Sequence, residues 1–429
     1  MNVMFMKKKL FIFICLLVLV CGCTSKEVKE QQEQLKVEEK QKEEEKKLFE
    51  VPEELVFEAN ENVFELYSNV NSSDLVKDTN ATITSVERTI DTDKVGKFTY
   101  TFDLEYNNNK YKQNVEYEIK DVNPPFVLTY QKTVYTLLGS KPNPCPSNNF
   151  VDDYDDVPSC EIVGEYDIYK DEDYKLQYRF YDSSNNEVFR DFTLKVVEEM
   201  PKFEKTTTTK KTTKTYIKDV INKYKNKDTM IGIDISRYQG DVDFEKVKAA
   251  GIEFVIMRLG IQSNVGKDIS VDTKYYNNIK KAKDAGLKVG VYVYTTATSN
   301  EKAREHAKWT LDILNGIELD FPIAFDWENW SKLGSYKIST YRLSEAFNTF
   351  YDTVKEAGYD AMLYSSKHYL EKVWMNRYDR PIWLAHYTSN LNKSSYAGKY
   401  IMWQLCSDGR VDGIKGAVDL DIYYKQKEE

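Results

Sequence analysis

The chain has 429 residues, a length that predicts two to four domains. Its charge is uneven: residues 51–200 carry 14 basic and 30 acidic side chains, whereas residues 230–429 carry 27 of each. Because nucleic-acid binding requires a basic surface, the neutral C-terminal half argues against a nucleic-acid partner.

The first 22 residues have the pattern of a lipoprotein signal peptide. Lys7-Lys8-Lys9 precede an apolar run from Leu10 to Val20, which is shorter than the about 20 residues that a membrane-spanning helix needs. The ending Val20-Cys21-Gly22-Cys23 resembles a bacterial lipobox, which implies that Cys23 carries a lipid. We therefore expect export and a lipid anchor on the outer face of the cell membrane, facing the cell wall. An ordinary cleaved signal and an uncleaved anchor are the alternatives.

Two β-rich segments follow a charged spacer. Residues 23–50 are mostly Lys, Glu and Gln, a composition that predicts a solvated spacer. Residues 51–123 and 124–199 alternate polar and apolar positions, with hairpin turns at Asn107-Asn108-Asn109 and at Ser183-Ser184-Asn185-Asn186. We interpret them as two small all-β sandwich modules whose repeat resembles bacterial immunoglobulin-like (Ig-like) modules. Binding of wall polymers and plain spacing remain open as their function, with spacing as the default.

The cysteines indicate one disulfide. Cys145 and Cys160 lie close together in a polar, proline-rich segment, and an exported protein meets an oxidising compartment. Closing that loop contributes about 3 kcal/mol on the chain-entropy model. Cys406 lies in an apolar run, and this position predicts that it is buried as a small hydrophobic side chain. No pair of Cys or His residues has metal-ligand spacing, so we expect neither a metal site nor a cofactor.

A Thr/Lys-rich linker, residues 200–229, precedes a strand–helix alternation from Met230 onward. Five βα units followed by three strands predict an irregular TIM-like α/β barrel over residues 230–425, with an incomplete outer ring of helices. The predicted strands are Ile231–Ile235, Phe254–Leu259, Lys288–Tyr294, Phe321–Trp327, Ala361–Tyr364, Pro381–His386, Ile401–Leu405 and Val418–Tyr423. The predicted helices are Asp243–Ala250, Asp272–Ala285, Glu301–Leu314, Ser339–Ala357 and Ser365–Arg377.

Four carboxylates stand on three of the predicted strands. Asp234 lies on the first strand, Asp326 and Glu328 end the fourth, and Asp419 lies on the eighth, which neighbours the first in a closed barrel. Function in such barrels gathers at the C-terminal ends of strands, and buried strands do not carry lone acids without a partner or a task. We therefore expect all four acids at one mouth. The plain alternative for Asp326 and Glu328 is a strand that runs into an acidic surface turn.

Asp326 and Glu328 are two residues apart, so a strand would place them on one face with Cα atoms roughly 6.6 Å apart. Neighbouring carboxylates can have their pKa values pushed apart, which assigns acid and base roles. Aromatic residues on the other strands are candidates to line a groove beside them, although each is equally a candidate for the core. They are Tyr292, Tyr294, Tyr364, Trp383, Tyr387 and Trp403.

These segments resemble glycoside hydrolase family 25, the Chalaropsis-type lysozymes, over about residues 230–425. The matching segments stand in the family's order and are Gly232–Ser236 with Gln239-Gly240, Phe254–Gly260, Ala285–Tyr292, Asp326-Trp327-Glu328, Trp383–Tyr387, Trp403-Gln404 and Val418–Asp421. Two positions depart from the family: Asp421, where Asn is commoner, and Arg237-Tyr238, where His-Trp is common. The departure at Arg237-Tyr238 affects which sugars the subsites of the groove prefer more than it affects the reaction.

The resemblance implies an N-acetylmuramidase. Its substrate would be the glycan strands of peptidoglycan, cut at the β-1,4 bond between N-acetylmuramic acid and N-acetylglucosamine. Glu328 would be the general acid, kept protonated by acidic neighbours and partial burial. Asp326 would orient the acetamido group or stabilise positive charge, while Asp234 and Asp419 would tune the pair and hold the sugar. We expect Gln404 and the six aromatic residues named above to bind substrate.

Three other functions compete with this one. A chitinase-type barrel would need the pattern Asp-x-x-Asp-x-Asp-x-Glu, but Ile323 and Ala324 stand where acids would be required. A non-catalytic wall-glycan-binding protein on a degenerate barrel would not need all four acids. A structural surface protein would act through its N-terminal modules instead.

Overall fold

The computed structural model describes residues 52–202, 214–264, 266–375 and 379–425. The predicted signal peptide, Cys23 and the charged spacer lie outside the described residues, as do residues 203–213 of the predicted linker. The chain divides into two compact units, one up to Val122 and one from Asn123 onward. Within the described ranges, no helix has the length and apolar character needed to cross a membrane.

The first unit is built from two small sheets, ordered β2-β6-β5-β4 and β1-β3. A long hairpin joins β5 to β6, and its turn residues Asn107 and Asn108 have φ of 49° and 63°, a conformation that Asn adopts more readily than most residues. Leu75, Phe102 and Leu104 lie in its apolar core. The strands are β1 (Phe57–Ala59), β2 (Val63–Glu65), β3 (Val76–Thr79), β4 (Thr82–Ile83), β5 (Gly96–Tyr106) and β6 (Asn109–Lys120).

The second β-rich segment also has a four-stranded and a two-stranded sheet, ordered β10-β11-β12-β8 and β7-β9. Tyr178 stacks on Phe192 in its core, with ring centroids 4.0 Å apart. Cys145 and Cys160 form a disulfide, with Cα atoms 5.8 Å apart. The strands are β7 (Phe126–Thr129), β8 (Thr133–Leu137), β9 (Asn149–Val151), β10 (Ser159–Val163), β11 (Asp173–Tyr181) and β12 (Glu187–Val197). That either segment is Ig-like stays a prediction.

The remaining strands form a closed barrel with the order β14-β15-β17-β18-β19-β20-β21-β22 and back to β14. Neighbours run parallel except β22, which is antiparallel to both β14 and β21. Two short strands, β13 and β16, pair outside this ring. The strands are β13 (Thr215–Tyr216), β14 (Thr229–Ile235), β15 (Phe254–Ile261), β16 (Ser270–Val271), β17 (Lys288–Tyr294), β18 (Ile323–Asp326), β19 (Ala361–Ser366), β20 (Ile382–Ala385), β21 (Met402–Arg410) and β22 (Val418–Tyr424).

Six described helices cover this sheet from outside, one before β14 and five between later strands. Two of them begin directly after a serine whose side chain caps the first turn: Ser299 Oγ accepts from the Lys302 N–H at 3.2 Å and Ser339 Oγ from the Arg342 N–H at 3.3 Å. The helices are α1 (Ile217–Tyr224), α2 (Phe244–Ala249), α3 (Tyr275–Asp284), α4 (Asn300–Leu314), α5 (Thr340–Glu356) and α6 (Lys367–Lys372). The first lies in the segment predicted to be linker, where its buried Val220 packs into the barrel's main core.

Two apolar layers hold the barrel together. One lies between strands and helices; the other fills the interior with side chains such as Phe254, Trp383 and Met402. Gly232 makes room for this filling, since a Cβ there would come within 2.4 Å of the Phe254 ring. Because side chains alternate along a strand, each strand supplies both layers.

Candidate active site

The four predicted carboxylates meet at one mouth of the barrel, around a cleft of about 200 Å³. The parallel strands deliver Asp234 near the end of β14 and Asp326 as the last residue of β18. The residues that line the cleft are Asp234, Tyr292, Asp326, Glu328, Tyr364, Trp383, Tyr387, Gln404 and Asp419.

Asp419 reaches the mouth in a different way from the one predicted. It is the second residue of β22, and it lies directly opposite Asp234 in the antiparallel β14–β22 register. The rule about C-terminal strand ends was therefore wrong for this residue, although the predicted position was right. Because β22 runs in the reverse direction, its beginning lies where the parallel strands end.

Asp326 and Glu328 do not share a strand. β18 ends at Asp326, whereas a strand that carried both carboxylates on one face would extend two residues further, to Glu328. Glu328 instead follows in irregular chain. Asp326 is 4% exposed, and its carbonyl accepts a 2.8 Å hydrogen bond from the Thr295 N–H. Glu328 is exposed to the cleft, between buried Trp327 and half-buried Asn329. One carboxyl is thus fixed in the floor and the other faces solvent.

Burial raises the pKa of every carboxyl in this group. The pKa of Asp326 is raised well above its usual value by burial and by Glu328, while the Arg258 charge opposes the rise. The pKa of Asp234 is raised likewise by burial, by Asp419 and by Asp421. For Asp419 burial raises the pKa to about 6. The Glu328 side chain is open to the cleft, but the cleft walls displace part of the water around it. This desolvation raises the pKa of Glu328. Acidic neighbours are the other cause expected for Glu328, and their contribution to its pKa stays a prediction.

Gln404 links three residues of the cleft. Its Nε2 donates to Asp234 Oδ2 at 2.8 Å, and its Oε1 accepts from the hydroxyls of Tyr364 at 2.9 Å and Tyr387 at 2.7 Å. Gln404 is 3% exposed, so its hydrogen-bonding groups are occupied by protein. It positions Asp234 and two tyrosines from three other strands or loops.

Four of the six predicted aromatic residues line the cleft, namely Tyr292, Tyr364, Trp383 and Tyr387. Tyr294 lies just outside the lining, where Asp326 and Glu328 add to burial in raising its pKa to about 12. Trp403 points outward: its Nε1 donates to the His386 carbonyl at 2.9 Å, and its ring meets Tyr224 of α1 edge-on at 5.5 Å. Alternation along β21 explains this, because Gln404 faces inward and its neighbour Trp403 must face the helices.

Arg258, within the segment Phe254–Gly260, acts on the site through its charge, which opposes the rise in the pKa of Asp326. It is a lone charge in the apolar strand β15, and its guanidinium contacts Asp272 at 2.6 and 2.8 Å. Both side chains are almost fully buried, at 5% and 1% exposure. A charge in an otherwise apolar run requires such a partner, and this was the signal available in the sequence.

Asp421, the position where the family favours Asn, lies below the cleft with no exposed surface. Trp383 Nε1 donates to Asp421 Oδ1 at 2.9 Å. Burial and Asp419 raise the pKa of Asp421 well above its usual value. Burial and Asp419 therefore favour the neutral carboxyl, which resembles the asparagine side chain in both shape and charge.

We predict that Asp421→Asn keeps activity within a few-fold of wild type. We also predict that its free energy of unfolding, compared with that of wild type at the same pH, is larger at pH 8 than at pH 5. Folded Asp421 retains a proton that the unfolded chain releases above about pH 4, so the wild type loses stability as pH rises toward the raised pKa. Urea unfolding at both pH values measures the difference. A difference in unfolding free energy between variant and wild type that does not shift in favour of the variant from pH 5 to pH 8 would contradict the assignment.

The cleft offers carboxylates, tyrosines and one amide, and its described lining includes no His or Cys, the side chains that zinc favours. The three histidines lie at separate places with separate partners. His306 bonds to Thr295, His386 bonds to Ser394, and His368 packs near Phe126. Grouped carboxylates with raised pKa values suit proton transfer to an oxygen of a neutral substrate.

Comparison with known proteins agrees with this geometry. The family model described as Glycosyl hydrolases family 25 matches residues 233–414. The autolytic lysozyme of Clostridium acetobutylicum is 33% identical over 195 residues, which is 45% of this chain and 56% of that protein. Lysozyme M1 of Streptomyces globisporus is 26% identical over 202 residues, or 44% of this chain and 65% of that protein. This chain thus spans less than two thirds of either relative.

A solved structure, the modular autolysin LytC from Streptococcus pneumoniae in complex with a synthetic peptidoglycan ligand, is 30% identical. The similarity covers 47% of this chain and 48% of that one, with a TM-score of 0.39. The family match covers six of the eight barrel strands completely and the end of β14, and it includes Asp234, Asp326 and Glu328 but not Asp419. Residues 233–414, which hold most of the barrel, thus match the model of the glycosyl hydrolases of family 25.

Proposed function

We propose that this protein hydrolyses the β-1,4 bond between N-acetylmuramic acid and N-acetylglucosamine in peptidoglycan. The observation that carries the proposal is the pairing of buried Asp326 with Glu328 in a cleft walled by tyrosines and Trp383. The family of the barrel and two relatives named as lysozymes support the same reaction.

Glu328 is proposed as the general acid. A glycosidase acid must hold a proton at the pH of reaction and still reach the leaving oxygen. Glu328 combines a raised pKa with an open position at the cleft. It donates its proton to the glycosidic oxygen as the bond from that oxygen to the anomeric carbon breaks. Water then adds to the anomeric carbon and returns a proton to Glu328, so the carboxyl is regenerated.

Asp326 is proposed to orient the substrate acetamido group or to stabilise positive charge at the anomeric carbon. Its fixed place in the floor of the cleft suits either task. Asp234 and Asp419 would tune this pair and hold the sugar, and Gln404 would keep Asp234 and the two tyrosines aligned. Tyr292, Tyr364, Trp383 and Tyr387 would give the sugar flat contact surfaces with polar edges.

The rest of the chain suits work on the cell wall. We propose that residues 1–22 direct export, that lipidated Cys23 anchors the protein to the outer face of the membrane, and that residues 23–50 give it reach. The signal-like N-terminal pattern and the lipobox-like ending support this arrangement. Residues 51–123 are proposed to act as an Ig-like spacer.

Purified full-length protein incubated with isolated peptidoglycan tests hydrolysis against simple binding. The proposal predicts that soluble reducing ends increase with time and with enzyme concentration. Protein that co-sediments with peptidoglycan while releasing no reducing ends would instead be a non-catalytic wall-binding protein.

A further inference from the structure

The second β-rich segment packs against the part of the barrel that directly follows Glu328. Strand β9 and the turn after it, residues 149–156, lie along residues 330–342, and both belong to the same compact unit. Val151, 2% exposed, is part of the main apolar core of the barrel. This segment is therefore joined to the barrel by a shared core, which a passive spacer would not require.

Asn149 makes the closest polar connection. Its Nδ2 donates to the Trp330 carbonyl at 2.6 Å, and its Oδ1 accepts from the Gly334 N–H at 2.8 Å. Both partners lie in one short 3-10 helix, Trp330–Tyr336. The Asn149 side chain is 7% exposed, so water cannot readily replace these bonds. A Cβ at Gly334 would come within 2.6 Å of the Phe150 carbonyl oxygen, which shows how closely the two backbones approach.

This 3-10 helix in turn fixes the backbone of Glu328. The Trp330 N–H donates to the Glu328 carbonyl at 2.8 Å. The Trp330 ring stacks on Tyr369, with centroids 3.8 Å apart and an interplanar angle of 15°. Asn329 Nδ2 donates to the Tyr336 hydroxyl at 2.5 Å. Because β18 has already ended at Asp326, no strand pairing holds Glu328, and these contacts replace it.

A second set of contacts holds the far end of the same loop. The Thr340 N–H donates to the Asp152 carbonyl at 2.8 Å, and the Ser339 N–H donates to Asp156 Oδ1 at 3.0 Å. Arg342 and Asp156 form an ion pair across the contact. The segment from Glu328 to the start of α5 is thus held at both ends by residues 149–156.

We propose that Asn149 is a positioning residue for Glu328 and that residues 149–156 support the active site. The proposal rests on the proposed muramidase function for its effect on catalysis. It replaces plain spacing, the default expectation for this segment, with a defined mechanical role. A displacement of about 1 Å in a catalytic group can cost about 100-fold in rate, so one buried amide can matter to turnover.

Asn149→Ala in the full-length protein tests this role. We expect kcat on soluble peptidoglycan fragments to fall at least about tenfold, with KM changed less than about twofold. We also expect the alkaline limb of the kcat–pH profile to move to lower pH, because a loosened loop admits water around Glu328 and lowers its raised pKa. Hydrogen exchange of residues 328–336 should become faster.

Asn148→Ala is the matched control, because Asn148 precedes Asn149 but its Oδ1 accepts from the Gln131 N–H at 3.0 Å within the β segment. It should leave kcat, the pH profile and exchange of 328–336 near wild type. If Asn149→Ala behaves like Asn148→Ala in all three, the proposal is wrong. Should Asn149→Ala not fold, Asn149→Asp keeps the acceptor for Gly334 but puts a carboxylate oxygen in place of the donor to the Trp330 carbonyl, and the same three measurements decide.

The exchange measurement separates the two proposals. If the wild type releases no reducing ends, the muramidase proposal fails, yet faster exchange of 328–336 in the Asn149 variant alone would still support positioning. If the wild type is active and exchange is unchanged in that variant, positioning fails and the muramidase proposal stands.

Discussion

Glu328→Gln should lower kcat on peptidoglycan by about 10²–10⁴-fold, the usual contribution of a positioned general acid. The amide keeps the size of the side chain but carries no transferable proton. Since Glu328 is exposed and the structure gives its side chain no buried partner to lose, the free energy of unfolding should stay near wild type. Initial rates of reducing-end release and urea unfolding, measured on one preparation, check both expectations.

Glu318→Gln is a suitable control for that change. Glu318 is exposed and precedes β18, so it lies toward the end of the barrel opposite the cleft. The same carboxylate-to-amide change should leave the rate unaffected there. A Glu328→Gln enzyme that retains more than about a tenth of the wild-type kcat would exclude Glu328 as the general acid.

Arg258→Met should destabilise the protein by about 3–5 kcal/mol, the usual cost of removing one partner of a buried ion pair. Asp272, with 1% of its side chain exposed, would be left as a buried charge without its guanidinium partner. The loss should also raise the pKa of Asp326 further, because the Arg258 charge opposes the effects of burial and of Glu328 there. Denaturant unfolding of wild type and variant measures the first effect.

Lys280→Met provides the comparison for Arg258. Lys280 pairs with Asp284 on the surface of α3, with 75% and 60% of the two side chains exposed. Surface pairs of this kind contribute little, so we expect almost no change in the free energy of unfolding. Equal effects of the two substitutions would mean that the Arg258–Asp272 pair does not support the barrel.

The barrel was accessible from sequence because its strands are apolar runs with clear ends. β17 was predicted with both of its bounds, Lys288 and Tyr294, and α4 was one residue longer than predicted. The closing strand was harder. No local pattern in Val418–Tyr424 states that it runs antiparallel, since direction depends on which connection precedes it, and Asp419 was placed at the mouth by a rule that does not apply to a reversed strand.

Side-chain direction explains most of what sequence missed in the site. Strand alternation, applied from Gln404, would have sent Trp403 outward. The same alternation places Tyr292 and Tyr294, which are two residues apart on β17, on one face of that strand. The hydrogen bonds that join Gln404 to Asp234, Tyr364 and Tyr387 cannot be predicted locally, because they unite residues 17 to 170 positions apart. The contact between Asn149 and Trp330 spans 181 positions and has no sequence signal that we recognise.

The identity of the sugar at the new reducing end tests the central claim most directly. Peptidoglycan digested by the purified full-length protein is reduced with borohydride and its fragments are identified by mass spectrometry. Cleavage by the proposed route leaves N-acetylmuramic acid at every new reducing end, recovered as its sugar alcohol, and Glu328→Gln should form these products far more slowly. Fragments that end in reduced N-acetylglucosamine, or freed peptides without new reducing sugars, would contradict the account.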